Sequence, residues 1–136
     1  MIGWAYVYAV TLTVFLGADA VWLAFVGGPL YAAAIGPLLA EQFRILPAVL
    51  FYLLHITGIL VLVLPRARGA IGAAAAYGAM FGLCTYGTYD LTNHAVLKMW
   101  GWPLTLIDMA WGGFVTGLAA AAGAWAQGRS WARSRA

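Results

Sequence analysis

The sequence predicts an all-α integral membrane protein, built as a bundle of four transmembrane helices. Of its 136 residues, 65% are hydrophobic and only 8% are charged, whereas a soluble domain carries about a quarter charged residues. Four apolar stretches are each long enough to cross a bilayer, which takes roughly 20 residues of helix. The net charge of +3 comes from basic residues grouped in short segments, so it does not indicate nucleic-acid binding.

The predicted spans follow one another closely and form a single domain over residues 1–136. They cover, in order, residues 4–26, 45–64, 70–89 and 104–125. The Gly-Gly-Pro run at 27–29 is expected to end the first span and Pro65 the second, because proline disrupts a helix interior. The apolar part of the first connection, Leu30–Leu39, is interpreted as an interfacial helix or as a lead-in to the second span.

Glycines recur at four-residue spacing on the last two spans. Gly78 and Gly82 share one face of the third span, and Gly113 and Gly117 share one face of the fourth. Small residues at this spacing let two helices approach closely in a membrane. Both faces are therefore predicted to be packing surfaces, and they would also allow the chain to form a homodimer.

The basic residues predict the orientation of the bundle. Most of them fall in the connection after the second span and in the tail, namely Arg66, Arg68, Arg129, Arg133 and Arg135. The opposite side holds only Arg44 and Lys98. Because an excess of positive charge marks the cytoplasmic side, both termini are predicted to be cytoplasmic.

With this orientation, every acidic residue lies in the outer half of the bilayer or just above it. The acids are Asp19, Glu41, Asp90 and Asp108. A carboxylate at the centre of a spanning helix costs about 2.5–3.5 kcal/mol on insertion scales, and such residues usually face the bundle interior. We therefore predict one polar pocket that is lined by all four helices and opens to the outer side.

Aromatic and amide side chains stand where they can hydrogen-bond these acids. Tyr86, Asp90 and Asn93 share one helical face, and a tryptophan follows both Asp19 and Asp108 by one turn, with an indole N–H that can donate to a carboxylate. The predicted ligand-binding or proton-relay residues are Asp19, Trp22, Tyr52, Tyr86, Tyr89, Asp90, Asn93, Asp108 and Trp111. The predicted accessory residues are His55, His94, Lys98 and Glu41.

A metal site at Asp90, Asn93 and His94, with Asp108 as a further ligand, is an alternative that the sequence does not favour. Catalytic zinc typically needs three firm ligands, often several histidines, and this chain has only two histidines, far apart along the sequence. A haem at His55 has no obvious axial partner. We therefore expect no metal and no cofactor.

Many of these residues belong to a pattern that resembles a known family. The pattern comprises Tyr-Asp-Leu-Thr-Asn at 89–93, Trp102-Pro103, Asp108-x-x-Trp111-Gly112, Asp19-x-x-Trp22-Leu23, Tyr31, Ile35-Gly36, Phe51-Tyr52 and Gly58. It is similar to the signature of an uncharacterised bacterial family of small membrane proteins, domain of unknown function 2177. The resemblance covers essentially the whole chain. It implies a four-span protein of the bacterial inner membrane, without an established activity. In that pattern positions 55 and 94 are not usually histidine, which shifts the weight to the carboxylates and their aromatic neighbours.

These observations favour a protein that binds or transports a small polar or lipid-like ligand in the outer-half pocket, with membrane lipid as its partner. Asp19 and Asp108 would accept protons or orient the ligand, and Asp90 and Asn93 would hydrogen-bond it. The first alternative is a structural or assembly protein, in which the polar cluster only locks the helices together. The second is a membrane-embedded enzyme acting on lipid, which the sequence favours less.

Overall fold

The computed structural model describes residues 2–133, and all regular structure within that range is helical. This confirms the all-α membrane bundle. The α-helices are α1 (Ile2–Trp22), α2 (Gly28–Ile35), α3 (Ile45–Gly58), α4 (Leu64–Ala67), α5 (Ile71–Val96) and α6 (Trp102–Arg133). A π-helical turn joins α1 to α2, and another joins α3 to α4. The bundle therefore consists of four rods: α1–α2, α3–α4, α5 and α6.

Three of the rods are long and apolar enough to cross a membrane. They correspond to Gly3–Leu38, Ile45–Ala67 and Trp102–Ser130. The third rod, α5, has 26 residues, which at a rise of 1.5 Å per residue gives about 39 Å, so it is long enough. Its second half carries threonine, tyrosine, aspartate and asparagine, and these lower its mean hydropathy. That α5 crosses the membrane stays a prediction.

The first rod continues through Pro29, where the sequence predicted an end. After Trp22 the chain enters a π-helical turn, in which the Gly28 N–H donates to the Leu23 carbonyl. Pro29 then lies in the first turn of α2, where its missing N–H costs little. A side chain on Gly28 would collide with the Leu23 carbonyl oxygen, so glycine permits the wide turn. The predicted stop is wrong, and the rod extends to Ile35.

The second rod continues through its proline for the same reason. A π-helical turn over Ile59–Val63 precedes Pro65, which lies in the first turn of α4. The predicted end at residue 64 is therefore too early, and the helix closes at Ala67. Arg68 and Gly69 follow with φ of 49° and 82°, the left-handed conformation that terminates many helices.

The predicted glycine faces pack α5 against α6 within one chain. A Cβ atom on Gly78 would lie 2.6 Å from the Ala120 Cβ and 2.9 Å from the Thr116 carbonyl oxygen, and one on Gly117 would lie 2.9 Å from the Ala75 carbonyl oxygen. Such close approach requires glycine, because any side chain would force the helices apart. The predicted homodimer is not tested by this packing and stays a prediction.

The bundle is not packed equally throughout. Its core contains completely buried side chains such as Phe15, Ile56 and Val115. By contrast, Ile45 at the start of α3 and Leu54 in its second half are 68% and 75% exposed. Within the described helices, the backbone of α3 lies near α1 and away from α5. The end of α3 reaches α5 through Phe81, whose ring packs against His55 and Gly58. An open gap therefore separates the first half of α3 from α5.

Candidate ligand cavity

Three buried acids converge at one end of the bundle, here called the acidic end. It is formed by the first rod where α1 continues into α2, and by the last turns of α5. The first turns of α3 and α6 complete it. Asp19, Asp90 and Asp108 are 6%, 0% and 4% exposed. They lie close enough for their carboxyl groups to interact in pairs, Asp90 with Asp108 and Asp108 with Asp19. The structure thus brings together acids that are far apart in the chain.

Asp19 connects three helices through its two carboxylate oxygens. The Tyr52 hydroxyl of α3 donates to Oδ2 at 2.7 Å, and the Trp111 indole N–H of α6 donates to Oδ1 at 3.1 Å. Hydrogen bonds to a charged acceptor stabilise by roughly 1.5–3 kcal/mol each. Asp19 therefore both belongs to the polar site and holds α1, α3 and α6 in register.

Asp108 has a partner that the sequence analysis did not include among the site residues. The Tyr31 hydroxyl of α2 donates to Asp108 Oδ2. Tyr31 was missed because the first helix was expected to stop before it, which separated this tyrosine from the helical register of Asp19. The family pattern, which contains Tyr31, was the signal that could have identified it.

Asp90 differs from the other two acids because neither of its oxygens has a hydrogen-bond partner among the described residues. It is completely buried in α5, beside Asp108. An unsatisfied buried polar group costs roughly 1–3 kcal/mol, and more when it is charged. Asp90 therefore adds to the polarity at the acidic end without being compensated there.

Two tryptophans form a stacked pair next to Asp19. The rings of Trp22 and Trp111 lie 4.6 Å apart with an interplanar angle of 4°. Gly27 makes room for this arrangement, since a Cβ there would lie 2.5 Å from the Trp22 Nε1. The tryptophan one turn after Asp108 thus donates to Asp19 rather than to its own neighbour, and Trp22 contributes an aromatic face.

Tyr86 is positioned by a glycine of the neighbouring helix. Its ring lies directly against Gly112 of α6, where any Cβ would overlap the ring atoms. The ring also makes T-shaped contacts with two rings of α3, at 6.4 Å from Phe51 and at 6.2 Å from His55. Tyr86 is therefore held between α6 and α3.

The acids and aromatic residues enclose a cavity of about 630 Å³, within the usual range for small-molecule sites. Its lining includes the predicted residues Asp19, Trp22, Tyr52, Tyr86, Tyr89, Asp108 and Trp111. It also includes residues that were not predicted, namely Leu23, Tyr31, Phe43, Phe51, Thr85, Thr88 and Thr92. The cavity occupies the gap between α3 and α5, and no basic side chain lines it.

Two predicted ligand-binding residues and all four accessory residues lie outside this lining. Asp90 is buried beside it, and Asn93 is half-buried one turn further along α5. Lys98 and Glu41 are exposed. The structure therefore does not place Asp90 and Asn93 where they could hydrogen-bond a ligand in the cavity directly.

Both histidines are engaged elsewhere. His55 is 3% exposed, and its Nε2 is 3.0 Å from the Thr116 Oγ1. His94 places Nδ1 2.9 Å from the Thr105 Oγ1. Among the described residues, no three histidine, cysteine, aspartate or glutamate side chains are grouped as metal ligands would be.

Fold and site together define a class, a helical membrane protein whose bundle holds an acidic and aromatic cavity at one end. The chain belongs to the family described as predicted membrane protein, domain of unknown function 2177, which it matches over residues 4–125. This confirms the resemblance inferred from the sequence. No curated protein and no solved structure matches the chain. The function of this family is unknown, so a function for this chain must be inferred from the cavity.

Proposed function

We propose that this protein binds a small polar or amphipathic, lipid-like ligand in the cavity at the acidic end. The observation that carries the proposal is the lining itself, in which two carboxylates and a set of aromatic rings converge on one space of about 630 Å³. Apolar walls with a few convergent polar groups are typical of small-molecule sites. Intramembrane acids that face a bundle interior commonly serve ligand or proton pathways.

The gap beside the cavity favours an amphipathic ligand. Phe51 and Tyr52 of α3 line the cavity together with Thr88 and Thr92 of α5, and at this level the two helix backbones lie apart. The outer surface of α3 is apolar and exposed, as expected for a surface covered by lipid. A ligand could therefore enter sideways from the bilayer, with its polar group inside and its chain between α3 and α5.

In this proposal the two lining acids have the direct roles. Asp19 and Asp108 orient the ligand or accept a proton from it, while Asp90 acts through its neighbour Asp108. We place the protein in the bacterial inner membrane on the family resemblance alone, and the distribution of arginines supports an orientation with both termini in the cytoplasm. The cavity would then lie in the outer half of the bilayer. Transport of the ligand would need an alternative arrangement that opens to the other side.

An assembly role is the second candidate, and the position of Asp19 favours it. Its bonds to Tyr52 and Trp111 join three helices, which is what a purely structural acid would do. The two roles differ in what they predict for Asp108. A structural cluster needs Asp108 only as an acceptor for Tyr31, whereas a ligand site needs its charge.

The experiment compares Asp108→Asn with Asp19→Asn and with the control Glu41→Gln, each purified in lipid nanodiscs. Small molecules that co-purify are identified by mass spectrometry, and unfolding is measured in parallel. Asp108→Asn keeps an oxygen for Tyr31, so it should fold normally and lose the ligand. Glu41→Gln removes the same charge from an exposed residue outside the cavity lining, so it should retain the ligand.

Asp19→Asn should both lose the ligand and lower the stability of the bundle. An amide offers one oxygen to two donors, so one donor is left unsatisfied at a cost of about 1–3 kcal/mol. Wild-type protein that carries no molecule of suitable size, or an Asp108→Asn variant that binds as the wild type does, would refute the proposal. Loss of stability in both aspartate variants without any change in bound molecules would favour the assembly role.

A further inference from the structure

We propose, resting on the ligand site described above, that the cavity selects an organic ammonium ion, held by Asp19 and Asp108 against the aromatic walls. Three features of the described lining bear on the chemistry of the ligand's head group: its uncompensated charge, its supply of hydrogen-bond acceptors and its aromatic faces. Each of them favours a cation that donates hydrogen bonds.

The charge of the lining is of one sign. Asp19 and Asp108 carry its only carboxyl groups and no lining residue is basic. The basic residues nearest in sequence to this end, Arg44 and Lys98, are exposed and lie outside the lining. Asp90 adds a third carboxyl group with no hydrogen-bond partner among the described residues. A buried carboxylate is stabilised by an opposite charge and opposed by a like one, so a phosphate or sulfate head group is disfavoured.

The threonines of α5 offer acceptors rather than donors. Thr85, Thr88 and Thr92 line the cavity, and each hydroxyl donates to a backbone carbonyl of its own helix, at 3.1, 2.7 and 3.0 Å respectively. A hydroxyl has a single proton to donate and two lone pairs. With the proton committed to the helix, the oxygen can only accept from a ligand.

The acids' own partners have likewise used their donors. The Tyr31 hydroxyl donates to Asp108, and the Tyr52 hydroxyl and the Trp111 indole N–H donate to Asp19. Each carboxylate oxygen has more than one acceptor site, so Asp19 and Asp108 can still accept. Trp22, Tyr86 and Tyr89 of the lining can still donate one hydrogen bond each, but the oxygens of the two carboxylates and the three threonines together can accept more. A ligand entering this space therefore meets a surplus of acceptors, which matches the three N–H donors of a primary ammonium group.

The aromatic walls complete the match. Trp22 and Trp111 form a parallel, stacked pair with ring centroids 4.6 Å apart. Tyr86 and Tyr89 contribute two further rings to the lining. The faces of such rings attract cations, tryptophan most strongly, and the attraction increases where water is excluded. An uncharged alcohol would gain from the acceptors but not from these faces or from the carboxylates.

The test uses three amphiphiles that share one chain, namely dodecylammonium, dodecanol and dodecyl sulfate. Binding to wild-type protein in neutral-lipid nanodiscs is followed by tryptophan fluorescence, corrected for partition into empty nanodiscs. Dodecylammonium should bind at least tenfold more tightly than dodecanol, and dodecyl sulfate should give no saturable signal. Butylammonium tests whether the chain matters: much weaker binding indicates a lipid, and comparable binding indicates a water-soluble cation. Either result retains the ammonium site.

Variants then assign the effect to the cavity. Asp108→Asn should weaken dodecylammonium at least tenfold and leave dodecanol unchanged, while Glu41→Gln should change neither. If Asp108→Asn fails to fold, the comparison of the three amphiphiles on wild-type protein still decides. Equal, saturable binding of dodecanol and dodecylammonium would overturn the ammonium inference and keep the ligand site. Absence of saturable binding for all probes would overturn both.

Discussion

Replacing Gly82 by alanine should lower the free energy of unfolding of the bundle. A Cβ atom at this position would overlap the Gly112 carbonyl oxygen of α6 and lie 2.6 Å from the Thr116 Oγ1. Backbone cannot rotate away as a side chain can, so the overpacking cost should be near the upper end of its range, about 3 kcal/mol. Alanine gains about 1 kcal/mol over glycine in helix propensity. The net loss should therefore be about 2 kcal/mol.

Gly72 supplies the matched control on the same helix. Nothing lies within 4 Å of a Cβ built on it, so Gly72→Ala should only gain the propensity difference, up to about 1 kcal/mol. Both variants are unfolded with dodecyl sulfate from neutral-detergent micelles and followed by circular dichroism. If Gly82→Ala and Gly72→Ala change the stability in the same direction, the close packing of α5 against α6 is refuted. An unchanged stability for Gly82→Ala would refute it as well.

Two further substitutions test the acidic end. Gly27→Ala should push the Trp22 indole off Trp111, because its Cβ would lie 2.5 Å from the Trp22 Nε1. The near-ultraviolet circular dichroism of the stacked rings should weaken, and an unchanged spectrum would argue against the stack. Tyr31→Phe should cost about 1–3 kcal/mol, since it removes the hydroxyl that donates to Asp108. The dodecyl sulfate titration measures this loss, and wild-type stability would mean that the contact is not formed.

The order of the helices, and the end of the bundle at which a residue lies, could be predicted from the sequence, but the ends of two helices could not. Apolar length identifies a segment that can cross a membrane, and consecutive antiparallel spans fix which residues share an end. Pro29 and Pro65 were taken as stops by their local effect on an α-helix. The π-helical turns that precede them shift the hydrogen-bond register first, and in the first rod that shift depends on the space left at Gly28. Hydropathy contains no signal for it.

The convergence of the acids could be predicted for a related reason, and the details of their contacts could not. Depth along the bundle follows from residue number, so Asp19, Asp90 and Asp108 were expected at one end. Which side of a helix faces the cavity depends on how the helices rotate when they pack. Tyr86 and Tyr89 of α5 line the cavity, whereas Asp90 is buried beside it. The face of α5 that carries Tyr86 and Asp90 was correctly predicted to face the bundle interior. The interior at that point consists of a cavity, which Tyr86 lines, and a packed region, in which Asp90 is buried.

The distribution of packing explains how the bundle can hold such a cavity. The helices α5 and α6 meet through glycines at positions where any side chain would collide, and α6 also packs along α1. These contacts supply most of the cohesion, so α3 does not need to close against α5. The polar lining lies along the side that the strong contacts leave open. Asp90, whose oxygens have no hydrogen-bond partner among the described residues, is buried beside this lining, and the tight half of the bundle can offset its cost.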